Sequence, residues 1–138
     1  GALIIIKQDD DLNVVVESGI RLDAKLSTSL LENIFFKNAP LHDGGVVISG
    51  DRVVAAKCVL PSTQQSVPKS YGMRHRAALG MSEVSDAIII VVSEETGAIS
   101  LAHDSVIKRN IDPQRLAQSI RELMRINNQR QKEKAPEV

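Results

Sequence analysis

The chain has 138 residues, and its 17 acidic side chains balance its 17 basic ones at pH 7. A chain of this size most simply forms one domain, and the charge balance excludes the overall positive field that attracts polyanions. With two Phe, one Tyr and no Trp, the core must be aliphatic, and single-stranded nucleic-acid binding through stacked rings is disfavoured. We expect no nucleic-acid partner.

The first segment, "GALIII", is apolar from its second residue. It is far shorter than the roughly 20 residues that span a bilayer, and it lacks the basic leader and cleavage site of a secretion signal. We expect a soluble piece of a longer protein, because the sequence starts almost inside a strand with no polar lead-in.

The first half of the chain predicts strands, one helix and a hairpin. Residues 2–7 and 13–17 are rich in Ile and Val, which favours two strands. The segment "LSTSLLENIFF" changes to a helical period, with Ser27 or Thr28 as its cap. The runs "GVVIS" and "RVVAAKCVL" then predict two strands joined by the tight turn "SGDR". Cys58, the only cysteine, lies in the second run and is predicted to be a small buried hydrophobe.

The second half of the chain predicts a long loop followed by helices and strands. "PSTQQSVPKSYGM" reads as a loop, "RHRAALGMSEVS" as a helix, and "AIIIVVS" as a strand covered on both faces. A turn "EETG" and a strand "AISLA" follow, and Asp112 with Pro113 marks the start of the last helix. We therefore predict an α/β fold, a single layered domain at 1–126 with a central mixed β-sheet flanked by helices. "NNQRQKEKAPEV" has no apolar period, which predicts a flexible tail at 127–138.

Reactive side chains precede the hairpin in "LHDGG". On a strand, His42 and Asp43 would point to opposite faces, so they serve one ligand only from a loop, which Gly44 and Gly45 permit. An imidazole and a carboxylate there suit a divalent cation. Alternatively, the segment is a turn in which Asp43 bonds its own backbone and His42 is exposed.

Two further segments suggest phosphate chemistry. In "GMRHRAALG", Arg74 and Arg76 offer planar donors at a helix start, where amides attract anions, although a solvated basic cluster is the alternative. In "VSEETGAIS", Glu94 or Glu95 suits a metal shell and the hydroxyls of Ser93 and Thr96 suit phosphate, or the segment is a hairpin turn with a left-handed Gly97.

Known local signatures are absent from the sequence. It contains no Walker loop, dinucleotide glycine fingerprint, zinc spacing or serine hydrolase elbow. His103 follows a predicted strand and is predicted to be solvated. From the residues alone, we infer a metal and phosphate site built from three separate loops, with no substrate identified.

Three segments carry a resemblance to a known family. "SGIRLDAKLSTSLLENIF", "PLHDGGVVI" and "YGMRHRAALGMSEVSDAIIIVVSEETGAIS" resemble the DAC domain of the diadenylate cyclases, which condense two ATP into cyclic di-AMP. The resemblance runs from residue 1 to about residue 125 and is closest to the membrane-anchored, CdaA-type members. It implies the DAC fold and a nucleotidyltransferase that uses ATP with Mn²⁺, Mg²⁺ or Co²⁺.

The resemblance also implies roles for individual residues. It makes His42 and Asp43 metal ligands, with Asp43 also beside the ribose 3′-hydroxyl. The nucleotide contacts that it implies are Gly44, Gly45, Leu60 against the adenine, and Met73. The triphosphate and catalytic residues that it implies are Arg74, His75, Arg76, Ser93, Glu94 and Glu95, the last as an additional catalytic or metal-shell acid. The sequence departs from the family at Gly45, where alanine is usual, and at Met73, where threonine is usual.

Partners and location follow from the same resemblance. The two identical links of cyclic di-AMP suggest a face-to-face homodimer. Membrane helices ahead of the first residue would place the site at the cytoplasmic face of the cell membrane, and regulators including a phosphoglucosamine mutase are possible partners. The alternative function is a nucleotide-binding regulatory module of the same fold with weak or no turnover.

Overall fold

A seven-stranded mixed β-sheet forms the centre of the protein, for which the computed structural model describes residues 1–134. The strand order is β2-β4-β3-β1-β5-β6-β7, in which β1 and β3 are parallel and every other neighbouring pair is antiparallel. This confirms the predicted mixed-sheet α/β class. The strands are β1 Ala2–Ile6, β2 Ile20–Lys25, β3 Gly45–Ser49, β4 Arg52–Cys58, β5 Ile88–Val92, β6 Ile99–His103 and β7 Val106–Ile111.

Helices cover both faces of this sheet. They are α1 Asn13–Ser18, α2 Thr28–Phe35, α3 Met73–Val84 and α4 Leu116–Lys134, the last preceded by a 3₁₀ turn at Pro113–Arg115. No helix within residues 1–134 combines the length and the apolar character needed to cross a membrane. The predicted caps are present: the Leu30 amide donates to Ser27 Oγ at 3.1 Å, and the Gln114 amide donates to the Asp112 carboxylate at 2.9 Å.

Successive side chains of a central strand point to opposite faces of the sheet and therefore pack against different helices. Leu3 and Ile5 of β1 pack with α1 and α3 on one face. Ile4 points to the opposite face and contacts the clusters beneath both α2 and α4. The aliphatic composition thus fills a three-layer core, in which Cys58 is 1% exposed, as predicted.

Residues 13–17, predicted as a strand, form helix α1 instead. The Asp11 carboxylate accepts the Asn13 amide at 2.7 Å, which starts the turn. Two adjacent valines, Val15 and Val16, then reach the core while Val14 stays 85% exposed. The packing of that helical face outweighs the β preference of three consecutive valines.

The prediction that His103 is solvated is also wrong. His103 is the last residue of β6 and is buried, with Nε2 2.7 Å from Asn127 Oδ1. Asn127 opens the segment predicted as a tail at 127–138, yet α4 continues to Lys134. Helix α4 therefore crosses the predicted boundary at 126, and the flexibility of the tail stays a prediction. Residues 135–138 of that segment lie outside the described residues.

Candidate active site

The segment before β3 and the turn after β5 lie at one edge of the sheet because β1 lies between these two strands. Ile4 pairs with Val46 in the parallel direction, and Ala2 pairs with Val92 in the antiparallel direction. The starts of β1 and β3 and the end of β5 therefore share an edge. Two strand spacings separate β3 from β5, which is about 10 Å. The segment before β3 and the turn after β5 can thus serve one elongated ligand.

His42 and Asp43 face each other on the loop before β3. His42 Nε2 lies 3.1 Å from Asp43 Oδ1, and His42 Nδ1 lies 2.6 Å from the Ala39 carbonyl oxygen. A carbonyl only accepts, so Nδ1 carries hydrogen, and in the neutral ring Nε2 then presents a lone pair. The Nε2 lone pair and the Asp43 oxygen could therefore bind one cation together, while the Ala39 carbonyl fixes the orientation of the imidazole ring.

The glycines after Asp43 are required by close packing. Gly44 has a φ of +81°, and a Cβ there would lie 2.8 Å from the Cys58 carbonyl oxygen on β4. A Cβ at Gly45 would lie 2.5 Å from Ile5 Cδ1 and 2.9 Å from Leu60 Cδ1, so these two side chains occupy the space beside Gly45. Leu60 in turn borders a largely apolar groove of about 450 Å³ between α1 and α3.

Arg74 turns from the first turn of α3 toward the end of β5. Its Nη1 lies 3.2 Å from Glu94 Oε2, and the Arg74 side chain is 22% exposed against 73% for Glu94. Gly1 packs against both, since a Cβ on it would lie 2.9 Å from Arg74 Nη1 and 3.2 Å from Glu94 Cβ. The guanidinium is therefore positioned at the sheet edge by an exposed carboxylate that an anionic ligand can displace.

The other two side chains of the RHR segment point elsewhere, as successive residues of a helix must. His75 is 6% exposed, and burial, followed by the charge of Arg109, lowers the pKa of its imidazole. Arg76 Nε donates to the Tyr71 carbonyl oxygen at 3.4 Å, which directs it toward the preceding loop. Met73, the residue before the RHR segment, is 88% exposed.

The segment after β5 is the predicted hairpin turn, with Gly97 at a φ of +73°. The Thr96 amide donates to Ser93 Oγ at 3.4 Å, and the Ala98 amide donates to Thr96 Oγ1 at 3.1 Å. Both hydroxyls keep their own hydrogen for a further acceptor. Glu95 is exposed at the tip of the turn.

The residues available for a metal are few. Within residues 1–134, no group of three or more His, Cys, Asp or Glu side chains is arranged to hold an ion. His42 and Asp43 could together provide two ligands. This donor set fits an ion such as Mg²⁺ or Mn²⁺, which commonly takes its other ligands from water and substrate phosphates.

Sequence reasoning missed two side chains beside this site, Tyr71 and Arg109. Tyr71 packs against His75 with ring centroids 5.8 Å apart, and the Arg109 guanidinium lies 4.9 Å from the centre of the Tyr71 ring. Tyr71 is the sole tyrosine of the chain and stands at a loop-to-helix junction, a signal available in the sequence. Arg109 lies on a strand that the sequence did not predict.

Comparison with known sequences gives consistent matches. Residues 1–107 match the family described as DAC, DisA bacterial checkpoint controller nucleotide-binding. A diadenylate cyclase of Listeria monocytogenes serotype 1/2a (strain 10403S) is 49% identical over 117 residues, covering 84% of this chain and 43% of that protein. Cyclic di-AMP synthase CdaA of Bacillus subtilis (strain 168) is 43% identical over 121 residues, covering 87% and 44%. The chain thus spans less than half the length of these two relatives.

Solved structures agree with the sequence matches. A double mutant of DacA from Staphylococcus aureus superimposes with a TM-score of 0.86 at 41% identity, covering 89% of this chain and 83% of that one. A protein of Bacillus cereus described as a hypothetical membrane spanning protein gives a TM-score of 0.77 at 42% identity, covering 80% and 55%. With sequence and fold in agreement, the chain belongs to the DAC family of nucleotide-binding domains.

Proposed function

We propose that the protein is a diadenylate cyclase, which condenses two ATP into one cyclic di-AMP and two pyrophosphates. Relatives more than 40% identical carry the names diadenylate cyclase and cyclic di-AMP synthase. The observation that carries the proposal is the His42 and Asp43 pair, 3.1 Å apart, at the edge of the sheet to which Arg74 also points. His42 and Asp43 would bind a cation and Arg74 would bind phosphate, and a single nucleotide could contact both sites. Such an arrangement suits phosphoryl-group chemistry.

In this proposal, His42 and Asp43 hold one divalent ion. The ion would be Mn²⁺, Mg²⁺ or Co²⁺, bound by one nitrogen and one carboxylate from the protein. When bound, it favours the alkoxide of the ribose 3′-hydroxyl and neutralises charge at the α-phosphate. Asp43, 74% exposed in its side chain, is also placed to accept a hydrogen bond from that hydroxyl.

The triphosphate would lie across the edge from β3 to β5. Arg74 would exchange Glu94 for phosphate oxygens, while Ser93 donates its hydroxyl hydrogen. Arg76 would contribute positive charge from the loop side. His75, which the resemblance places in the same set, is buried in α3 and would act from there without contacting phosphate. Glu95 would serve as a further acid at the metal or the leaving group. We assign the adenine to the groove beside Leu60, with Gly44, Gly45 and Met73 around the nucleotide.

The stoichiometry favours two subunits acting together. In each of two equivalent steps, a 3′-oxygen forms a bond to the α-phosphorus of the other ATP, the bond from that phosphorus to the bridging oxygen of pyrophosphate breaks, and the hydroxyl proton passes to solvent. Each ATP is therefore both nucleophile and electrophile. A two-fold homodimer presents this arrangement with one kind of site, so we propose that one subunit holds half of the reaction.

Location and protein partners are part of the same proposal. The Bacillus cereus structure is described as a hypothetical membrane spanning protein, which supports a membrane-anchored full-length form with this domain at the cytoplasmic face. Regulatory proteins, among them a phosphoglucosamine mutase, are proposed partners of that form.

The decisive experiment is metal-dependent turnover. Incubation with ATP and Mn²⁺ should give cyclic di-AMP and twice as much pyrophosphate, measured by mass spectrometry. Asp43→Asn should lower the rate at least about a hundredfold, while Asp51→Asn, an exposed carboxylate of the β3–β4 turn, should leave it unchanged. ATP binding without product would favour the regulatory module instead. Equal rates in both variants would place the chemistry elsewhere.

The subunit requirement is tested by dilution. Specific activity should fall as analytical ultracentrifugation shows dissociation to monomers, while ATP binding persists. A demonstrably monomeric sample with full specific activity would contradict the shared reaction.

A further inference from the structure

Tyr71, His75 and Arg109 form a stack beside the first turn of α3. The Tyr71 and His75 rings have centroids 5.8 Å apart at an angle of 46°. Arg109 covers the Tyr71 ring at 4.9 Å, within the range of a cation–π contact, and its Nη1 donates to Ser70 Oγ at 3.3 Å. The stack therefore joins the edge strand β7 to the last residues of the long loop and to the helix that follows.

The innermost member of the stack is unsuited to holding phosphate. His75 Nδ1 is buried without a hydrogen-bond partner among residues 1–134, and such nitrogens are uncommon enough to need an explanation. Its lowered pKa favours the neutral ring, so His75 adds no charge for an anion. The buried Nδ1 without a partner costs free energy, so we infer that the His75 ring is kept for its packing against Tyr71 and not for its charge.

The backbone of Arg76 bonds to the loop on either side of the stack. The Arg76 amide donates to the Gly72 carbonyl at 3.2 Å, and the Arg76 carbonyl accepts the Thr63 amide at 3.0 Å. The loop is thereby tied to the first turn of α3 from two sides. Arg74 leaves that same turn in another direction, toward Glu94.

We propose that Arg109, through Tyr71 and His75, is a positioning residue that fixes the first turn of α3 and so directs Arg74 at the triphosphate. This inference rests on the proposed nucleotide site and adds to it a residue from a strand outside the three loops. Arg109 is exposed and contacts Ser70 and Tyr71, so we expect its effect to reach the ligand through Tyr71 and the helix.

Four variants test the inference. Arg109→Gln removes the outer member of the stack and Tyr71→Ala removes its central ring, whereas Tyr71→Phe keeps the ring and removes only the hydroxyl. Lys108→Gln is the matched control, because Lys108 is the adjacent exposed cation and lines the groove beside α4 on the other face of the sheet. Each variant is assayed for the KM and kcat of ATP turnover, for ATP affinity by titration calorimetry, and for melting temperature.

Arg109→Gln and Tyr71→Ala should raise the KM for ATP and the dissociation constant of ATP about fivefold. The kcat should stay within about twofold, because we expect the contact between Arg74 and the triphosphate to be equally strong in the bound substrate and in the transition state. Tyr71→Phe should restore wild-type values. The inference is overturned if Arg109→Gln matches Lys108→Gln, or if KM stays fixed while only the melting temperature and kcat fall. If wild-type protein binds ATP without forming product, the affinities alone decide the inference, and only the proposed function fails.

Discussion

The Ala39 carbonyl oxygen lies 2.6 Å from His42 Nδ1 and so fixes which imidazole nitrogen faces Asp43. The carbonyl and Asp43 Oδ1 lie on opposite sides of the ring, which is therefore held in one orientation before any ligand arrives. A ligand orientation set by backbone does not depend on the conformations of distant side chains. The metal site is accordingly the most local part of the proposed active site.

His42→Ala is expected to weaken Mn²⁺ binding, because it removes one of the two proposed protein ligands. The Mn²⁺ concentration for half-maximal turnover should rise at least about tenfold, and excess Mn²⁺ should recover part of the rate. Free Mn²⁺ measured by electron paramagnetic resonance gives the same constant without turnover. Asp51→Asn serves as the control, and a Mn²⁺ affinity unchanged in His42→Ala would show that the imidazole is not a ligand.

Gly44→Ala is expected to destabilise the protein more than Gly50→Ala does. Both glycines have positive φ, at +81° and +58°, so alanine costs about 1–2 kcal/mol at either site. At Gly50 a Cβ meets nothing within 4 Å, whereas at Gly44 it would lie 2.8–3.1 Å from the backbone of Lys57 and Cys58. Urea unfolding of the two variants isolates the packing part, and equal losses would show that the loop relaxes away from β4.

The elements that the sequence predicted correctly are those whose signals are local. Ser27 and Asp112 cap the starts of the helices predicted to follow them, and "AIIIVVS" forms a strand buried on both faces, as predicted. The two edge strands were missed for a physical reason. β2 and β7 each cover little of the core and are largely exposed. "IRLDAK" does alternate apolar and polar residues, a signal for β2 that was available in the sequence, whereas "VIKRNI" has three consecutive polar residues and no alternation.

The candidate site divides in the same way. The glycines and the His42 and Asp43 pair belong to one short segment, so the sequence could propose them together. The directions of Arg74 and His75 depend instead on contacts with Glu94 and Tyr71, and those contacts arise only after the sheet and the long loop are in place. The sequence therefore suggested one phosphate-binding cluster in the RHR segment, although its three side chains point in three different directions.

Asn127→Ala is expected to cost stability, because Asn127 connects α4 to the buried His103 ring and to the half-buried Asp86 carbonyl. Its Oδ1 accepts from His103 Nε2 at 2.7 Å, and its Nδ2 donates to the Asp86 carbonyl at 2.9 Å. Leaving both unpaired costs about 1–3 kcal/mol each. Asn128→Ala is the control, since Asn128 is exposed on the same turn of the helix and should change the free energy of unfolding by less than about 0.5 kcal/mol.

Hydrogen exchange would locate the effect of Asn127→Ala. Amides in the second half of α4 should exchange faster, whereas those of β1 and β3 should not. If both asparagine variants melt alike, the buried connection contributes nothing to holding the helix.

Stability above pH 8.5 should report on the one buried thiol. Burial raises the pKa of Cys58 to about 11, against about 8.5 in an unfolded chain. Between these values the folded protein holds a proton that the unfolded chain has lost, so the free energy of unfolding falls as pH rises, by up to about 3 kcal/mol. Cys58→Ala should start from a lower stability but lack this decline. Chemical unfolding of both proteins from pH 7.5 to 10.5 measures the difference, in which the titration of lysines and tyrosine cancels. A difference that stays constant over that range would mean that the Cys58 thiol ionises as easily in the folded protein as in the unfolded chain.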